Sequence, residues 1–154
     1  MAFRQAEASG GRPQARRSSQ ERLRTSQRAQ LAGEIVVSLL FARRALRRGT
    51  LDAAVVKLRG VGGRFGSAPE RGESLLEARR LGAAVMRTLA LMPGDTRCLT
   101  QSLVLTRLLA RRRISATLVV GARIAPDFVA HAWVEHAGEP LLPTGDAFGR
   151  LVEL

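Results

Sequence analysis

Arg97-Cys98-Leu99-Thr100-Gln101-Ser102 contains the only cysteine of the chain and marks the point where a loop gives way to a helix. The polar segment Pro93-Gly94-Asp95-Thr96 precedes it, and Leu99, Leu103, Val104, Leu105, Leu108 and Leu109 follow at helical spacing. Asp95 or Thr96 is placed to cap that helix, because a short side-chain oxygen accepts a hydrogen bond from a free N–H of the first turn. Cys98 then falls in the first turn, where the helix dipole and the unpaired N–H groups favour negative charge and hence a thiolate. Arg97 adds a neighbouring cation. The apolar residues spread around most of the helix circumference, which predicts burial on more than one side. Arg111-Arg112-Arg113 end the helix.

Downstream the period changes. Ala116-Thr117-Leu118-Val119-Val120-Gly121 is short and β-branched and predicts a strand. Phe128 to Glu135 predicts a second strand, Ala137-Gly138 a turn, and Pro140-Leu141-Leu142 a third, shorter strand. Three strands at this spacing predict an antiparallel meander, with the tail from Ala147 to Leu154 docked on it. His136, at the turn, is expected to be exposed.

Upstream the sequence predicts helices. Ile35, Val36, Leu39, Leu40 and Leu46 share a face between Gly33 and Arg48, with Arg43, Arg44, Arg47 and Arg48 towards the C-terminal end. Thr50 caps a short helix from Leu51 to Arg59, stopped by Gly60, and a longer helix runs from Pro69 to Ala90. The glycine-rich link Val61-Gly62-Gly63-Arg64-Phe65-Gly66 has no strand before it and no Lys-Ser/Thr after it, so it is not a phosphate-binding loop. The fold class is therefore α+β, with helices first and a small antiparallel sheet after them. Residues 1–32 are rich in Arg, Gln, Ser, Ala and Gly and carry few large apolar side chains. Such a segment buries too little surface to offset its ordering entropy. The expectation is a basic, largely disordered tail over 1–32, with a nascent helix from Glu21 to Leu31, and one folded domain over 33–154.

Composition narrows the function. The 154 residues are 45% hydrophobic but only 4% aromatic, so the core must be mainly Leu, Val and Ala. The formal net charge is +12, carried almost wholly by arginine, since Lys57 is the sole lysine. A surface of that sign attracts anions. The scarcity of aromatic residues argues against a single-strand stacking platform, and no zinc or RNA-binding signature is present. One cysteine excludes an internal disulfide framework and a cysteine-based metal cage, and neither a metal nor a cofactor is expected. The apolar run from Ile35 to Ala42 is far shorter than the roughly 20 residues a membrane span needs. No apolar signal core follows the first arginines, so a cytoplasmic location is expected.

The chemistry rests on Cys98 and His131. A nucleophilic cysteine needs an activated thiol, a base and donors for the oxyanion. The helix start supplies the first and last of these. His131, in Ala130-His131-Ala132-Trp133-Val134-Glu135, supplies the base if its strand lies against that helix start. A third polar group would orient the imidazole. Trp133 shares the His131 face by alternation, to wall a cleft or simply to pack.

These residues carry a resemblance. Arg97-Cys98-Leu99 opening a helix that ends in Leu-Leu-Ala-Arg-Arg-Arg-Ile, the Leu-Val-Val-Gly strand and the Ala-His-Ala-Trp-Val-Glu run resemble the transglutaminase-like cysteine-peptidase family of lasso-peptide biosynthesis, over about residues 33–154. The resemblance implies a papain/transglutaminase-like fold, with the cysteine at a helix N-terminus packed on a small sheet that carries the histidine. It also implies cleavage of the leader from a ribosomally made precursor through a thioester on Cys98, with His131 as base and then acid. An asparagine-synthetase-like cyclase would act on the product. The 32 basic residues ahead of the domain are too few for the leader-binding module fused to some members, so a separate leader-recognition protein is implied. The family's acid before Pro-Thr falls at Leu142, which cannot orient an imidazole. Asp146 is the nearest downstream acid and is the candidate third member of the triad; Glu135 is the weaker one. The Leu142 departure leaves a second reading open, a non-catalytic basic binding module or scaffold for nucleic acid or precursor peptide. Transfer of the acyl group to an amine in place of water is also open.

Overall fold

The computed structural model describes residues 12–60, 71–94, 97–124, 127–144 and 148–154, with side chains from Thr25 onward except that of Arg71. Four helices precede a four-stranded antiparallel sheet: α1 (Arg12–Leu46), α2 (Leu51–Arg59), α3 (Arg71–Leu89), α4 (Cys98–Arg111), β1 (Thr117–Arg123), β2 (Val129–His136), β3 (Glu139–Pro140) and β4 (Gly149–Glu153). The chain divides into two units, Met1–Leu31 and Ala32–Leu154. In the first, helix α1 starts at Arg12, well before the expected start at Gly33. Arg, Gln, Ala and Leu are strong helix formers, so local propensity writes helix where there is little to bury. Residues 25–30 are exposed.

In the second unit α4 is the centre. Thr100 and every residue from Ser102 to Leu109 are buried, as the all-round apolar pattern requires. It packs against α2 and α3 and against β2 and β1. The C-terminal half of α1 adds Ile35, Leu39, Ala42 and Ala45 to the core. Arg112, just past α4, ties α1 to α3: its guanidinium lies 2.8 Å from Glu34 and 3.2 Å from Glu77. The α2 helix begins as its sequence predicts, with the Thr50 hydroxyl accepting from the Ala53 N–H at 3.4 Å.

The sheet differs from a three-stranded meander. Its strand order is β3-β2-β1-β4, so the C-terminal segment is a fourth strand that pairs with β1 on the far side from β3. All five β4 residues are exposed, so the segment lacks the alternation that marks a half-buried strand. Edge pairing holds it in place, extended by reciprocal Leu118–Leu154 backbone bonds of 2.7 and 2.8 Å. The third strand is only two residues long, and Leu141 and Leu142 lie beyond it as buried loop residues.

That loop is held by a close approach to α3. A Cβ on Gly82 would collide with the Leu141 carbonyl oxygen, so only glycine lets the helix and the loop touch. On the other side the Leu141 N–H donates to the Val134 carbonyl of β2 at 2.8 Å. The expected capping residues Asp95 and Thr96, the 61–66 link, and the start of the third helix at Pro69 lie outside the described residues. Gly82→Ala is expected to cost about 1–3 kcal/mol by forcing the two backbones apart, measured by urea unfolding followed by far-ultraviolet circular dichroism.

Candidate active site

Cys98 is the first residue of α4, half-buried and a free thiol. The residue before the helix is Arg97, in extended conformation at φ −62° and ψ 173°, and its side chain makes no capping bond. The Gln101 N–H takes the Arg97 carbonyl at 3.0 Å. The N–H groups of Cys98, Leu99 and Thr100 therefore precede the helix's own ladder and face outward from its first turn. They are the oxyanion donors this geometry supplies.

The helix that opens with Cys98 and the strand that carries His131 are fastened to each other by a buried bond. The Ser102 hydroxyl donates to the Ala132 carbonyl at 3.1 Å, fastening α4 to β2. Cys98 is one helical turn, about 6 Å, from Ser102, and His131 is the residue next to Ala132. The bond lies one turn along α4 from Cys98 and one residue along β2 from His131, and no hydrogen bond joins the thiol to the imidazole.

His131 is held from three sides. Its Nε2 lies 2.8 Å from the main-chain carbonyl of Pro143. A carbonyl only accepts, so Nε2 carries the proton and, in the neutral ring, Nδ1 holds the lone pair. Trp133 stacks beside the imidazole with ring centroids 6.0 Å apart and planes at 21°. Phe148 lies across it at 5.2 Å. Trp133 is itself buried; its indole N–H donates to Glu135 at 2.7 Å, and its ring lies over Gly121, the residue paired with His131 across the sheet. Arg150 of β4 binds the other Glu135 oxygen at 2.8 Å. Glu135 is therefore committed to Trp133 and Arg150, and reaches His131 only through the indole.

Asp146, the candidate acid, lies outside the described residues. The orienting acceptor that the structure gives His131 is Pro143, the residue after the Leu142 that lacks a carboxylate. No side-chain signal could have shown it, because the group is main chain. His136 is corrected: it is buried, not exposed. Its Nδ1 donates to the Ser115 carbonyl at 2.6 Å and its Nε2 accepts from the Ser74 hydroxyl at 2.9 Å, so the side chain faces α3 with both nitrogens satisfied. Among the described residues no group of three or more His, Cys, Asp or Glu could hold a metal, and no helix is long and apolar enough to cross a membrane.

A half-buried cysteine opening a buried helix and a strand histidine oriented through Nε2 are the residue types a thiol acyl-transfer site uses. The family model for the transglutaminase-like superfamily matches residues 35–152. The chain belongs to that superfamily, and its α+β architecture with Cys98 at the start of α4 is a transglutaminase-like fold. Members are generally cysteine peptidases or transferases, and membership suggests an activity of that kind here. Searches of curated proteins and of solved structures each returned no match. Ser102→Ala is expected to destabilise the chain by about 1–3 kcal/mol, because it strips a buried carbonyl of its side-chain donor. Chemical denaturation of the two proteins side by side measures it.

Proposed function

We propose that this chain is a cysteine peptidase that removes the leader from a ribosomally synthesised lasso-peptide precursor. It would act in the cytoplasm with a separate leader-recognition protein and ahead of an asparagine-synthetase-like cyclase. The observation that carries the peptidase reading is the His131–Pro143 bond, which puts the proton on Nε2 and leaves the lone pair of the neutral ring on Nδ1. The lasso-peptide assignment rests on the Cys-Leu and His-Ala-Trp-Val-Glu motifs.

In the first half-reaction Nδ1 of His131 takes the proton of Cys98 Sγ. The sulfur attacks the carbonyl carbon at the leader–core junction, and the oxyanion meets the free N–H groups of the first α4 turn. Collapse breaks the C–N bond as the imidazolium protonates the departing amine of the core. The leader is left as a thioester on Cys98. In the second half His131 accepts a proton from water, hydroxide adds to the thioester, and the leader leaves as a carboxylic acid while sulfur recovers its proton. Through both halves the Pro143 carbonyl keeps its bond to Nε2–H and fixes the ring plane. The freed amine is what a ring-forming cyclase consumes.

Asp146 is the candidate acid by its order in the chain, and the Pro143 bond limits how much it must contribute. Incubation with the neighbouring precursor and leader-binding protein, read by mass spectrometry, tests the reading. Cys98→Ala and His131→Ala are each expected to lower leader release by about a thousandfold or more. Asp146→Asn is expected to stay within about tenfold; a loss as large as that of His131→Ala would assign the orienting role to Asp146. Full leader release by Cys98→Ala would end the Cys98 mechanism, and no release by the unaltered chain would leave a binding scaffold.

A further inference from the structure

Arg107 is the anomaly of the core. It is 3% exposed, yet it forms no ion pair with any described acid, and its Nε has no hydrogen-bond partner. Its one specific contact is with Phe41, whose ring centroid lies 4.0 Å from the guanidinium carbon. Arg112, one turn and a residue further on, shows the ordinary solution: less buried, it is paired with two glutamates. An unpaired buried cation is costly, and a carboxylate is what such a site lacks. Burial, and then the nearby Arg111, lower the proton affinity of Arg107, and an anion would reverse that.

The residue lines a pocket of about 160 Å³ between α1 and α2. Arg44, Arg48 and Lys57 also line it, Phe41 and Leu58 contribute apolar wall, and among the described residues no carboxylate does. None of these three further cations has an acidic partner among the described residues. Beyond the pocket, Val37 and Leu40 are exposed at 46 and 60%, and Phe41 of its wall is exposed at 47%. Positions 37, 40, 41 and 44 fall on one stripe of α1, apolar at its start and cationic at its end, and Arg48 follows in the turn after the helix. Inorganic phosphate would use only the cationic half. A peptide with an acidic residue beside apolar ones would use both halves.

We propose that this pocket binds the carboxylate of an acidic side chain in a partner peptide, whose neighbouring apolar residues lie along Val37, Leu40 and Phe41. The carboxylate sits among Arg44, Arg48 and Lys57 and completes Arg107, which is held ready by Phe41. The site is built from α1, α2 and α4 and does not depend on the chemistry of Cys98.

Fluorescence anisotropy of the full chain at about 0.15 M salt tests it, with a labelled acetyl-Leu-Leu-Glu-Glu-Leu-amide probe and its Gln-for-Glu counterpart. The Glu probe is expected to bind at least tenfold more tightly than the Gln probe. Arg107→Met, and separately Arg48→Gln with Lys57→Gln, are expected to weaken it at least tenfold. Arg80→Gln with Arg87→Gln, the same charge change on α3, is expected to stay within twofold. The exposed Arg48/Lys57 pair keeps the test valid if Arg107→Met fails to fold. Equal binding of the two probes, or an equal loss in the α3 variant, overturns the proposal. Binding of inorganic phosphate at this pocket without binding of the Glu probe also overturns it.

Discussion

Burial of α4 on all sides sets the terms for the rest of the domain. A helix in that position cannot leave polar groups to solvent, so each one needs a protein partner or a function. Thr106 returns its hydroxyl to the Ser102 carbonyl at 2.9 Å, and Ser102 spends its own on β2. The second bond does double duty. It satisfies a buried hydroxyl, and it fastens α4 to β2. Arg107, also buried in this helix, has an Nε with no hydrogen-bond partner among the described residues.

The way His131 is held follows from backbone geometry. An acceptor on Nε2 selects the tautomer and the ring orientation, and a carboxylate is the usual group for that task. Here a peptide carbonyl takes the position. It carries no formal charge, so it stabilises a charged imidazolium less than a carboxylate does. It does not titrate, so the orientation it imposes does not change with pH. Trp133 and Phe148 restrict the ring further, and Glu135 steadies Trp133 from the far side.

The parts of this architecture with strong local signals were legible in the sequence. Thr50 and Gly60 bound α2 because capping chemistry is local, and the all-round apolar pattern of α4 anticipated its burial. The strands β1 and β2 read correctly to within one or two residues because their alternation and β-branching are also local. Long-range pairing was not legible. The β4 segment is an exposed edge with no periodic signature, and His136 sits beside a turn but is drawn inward by Ser74 on a distant helix and Ser115 before β1. For the site, Cys98 and His131 stood out by residue type and context, whereas the orienting acceptor did not. Leu142 has no side chain that could orient an imidazole, and the bonded atom belongs to the next residue's backbone.

The close approach at Gly82 bears on how this site withstands mutation. Every amino acid has a carbonyl, so exchanging the side chain at position 143 does not in itself delete the group that holds His131. Its position depends instead on the path of residues 141–143, wedged between Gly82 of α3 and Val134 of β2. Point substitutions in that loop leave the acceptor in the chain, while inserting or deleting a single residue shifts it by a full Cα step. A scan that replaces side chains one at a time would pass over a determinant that a one-codon change in length would expose.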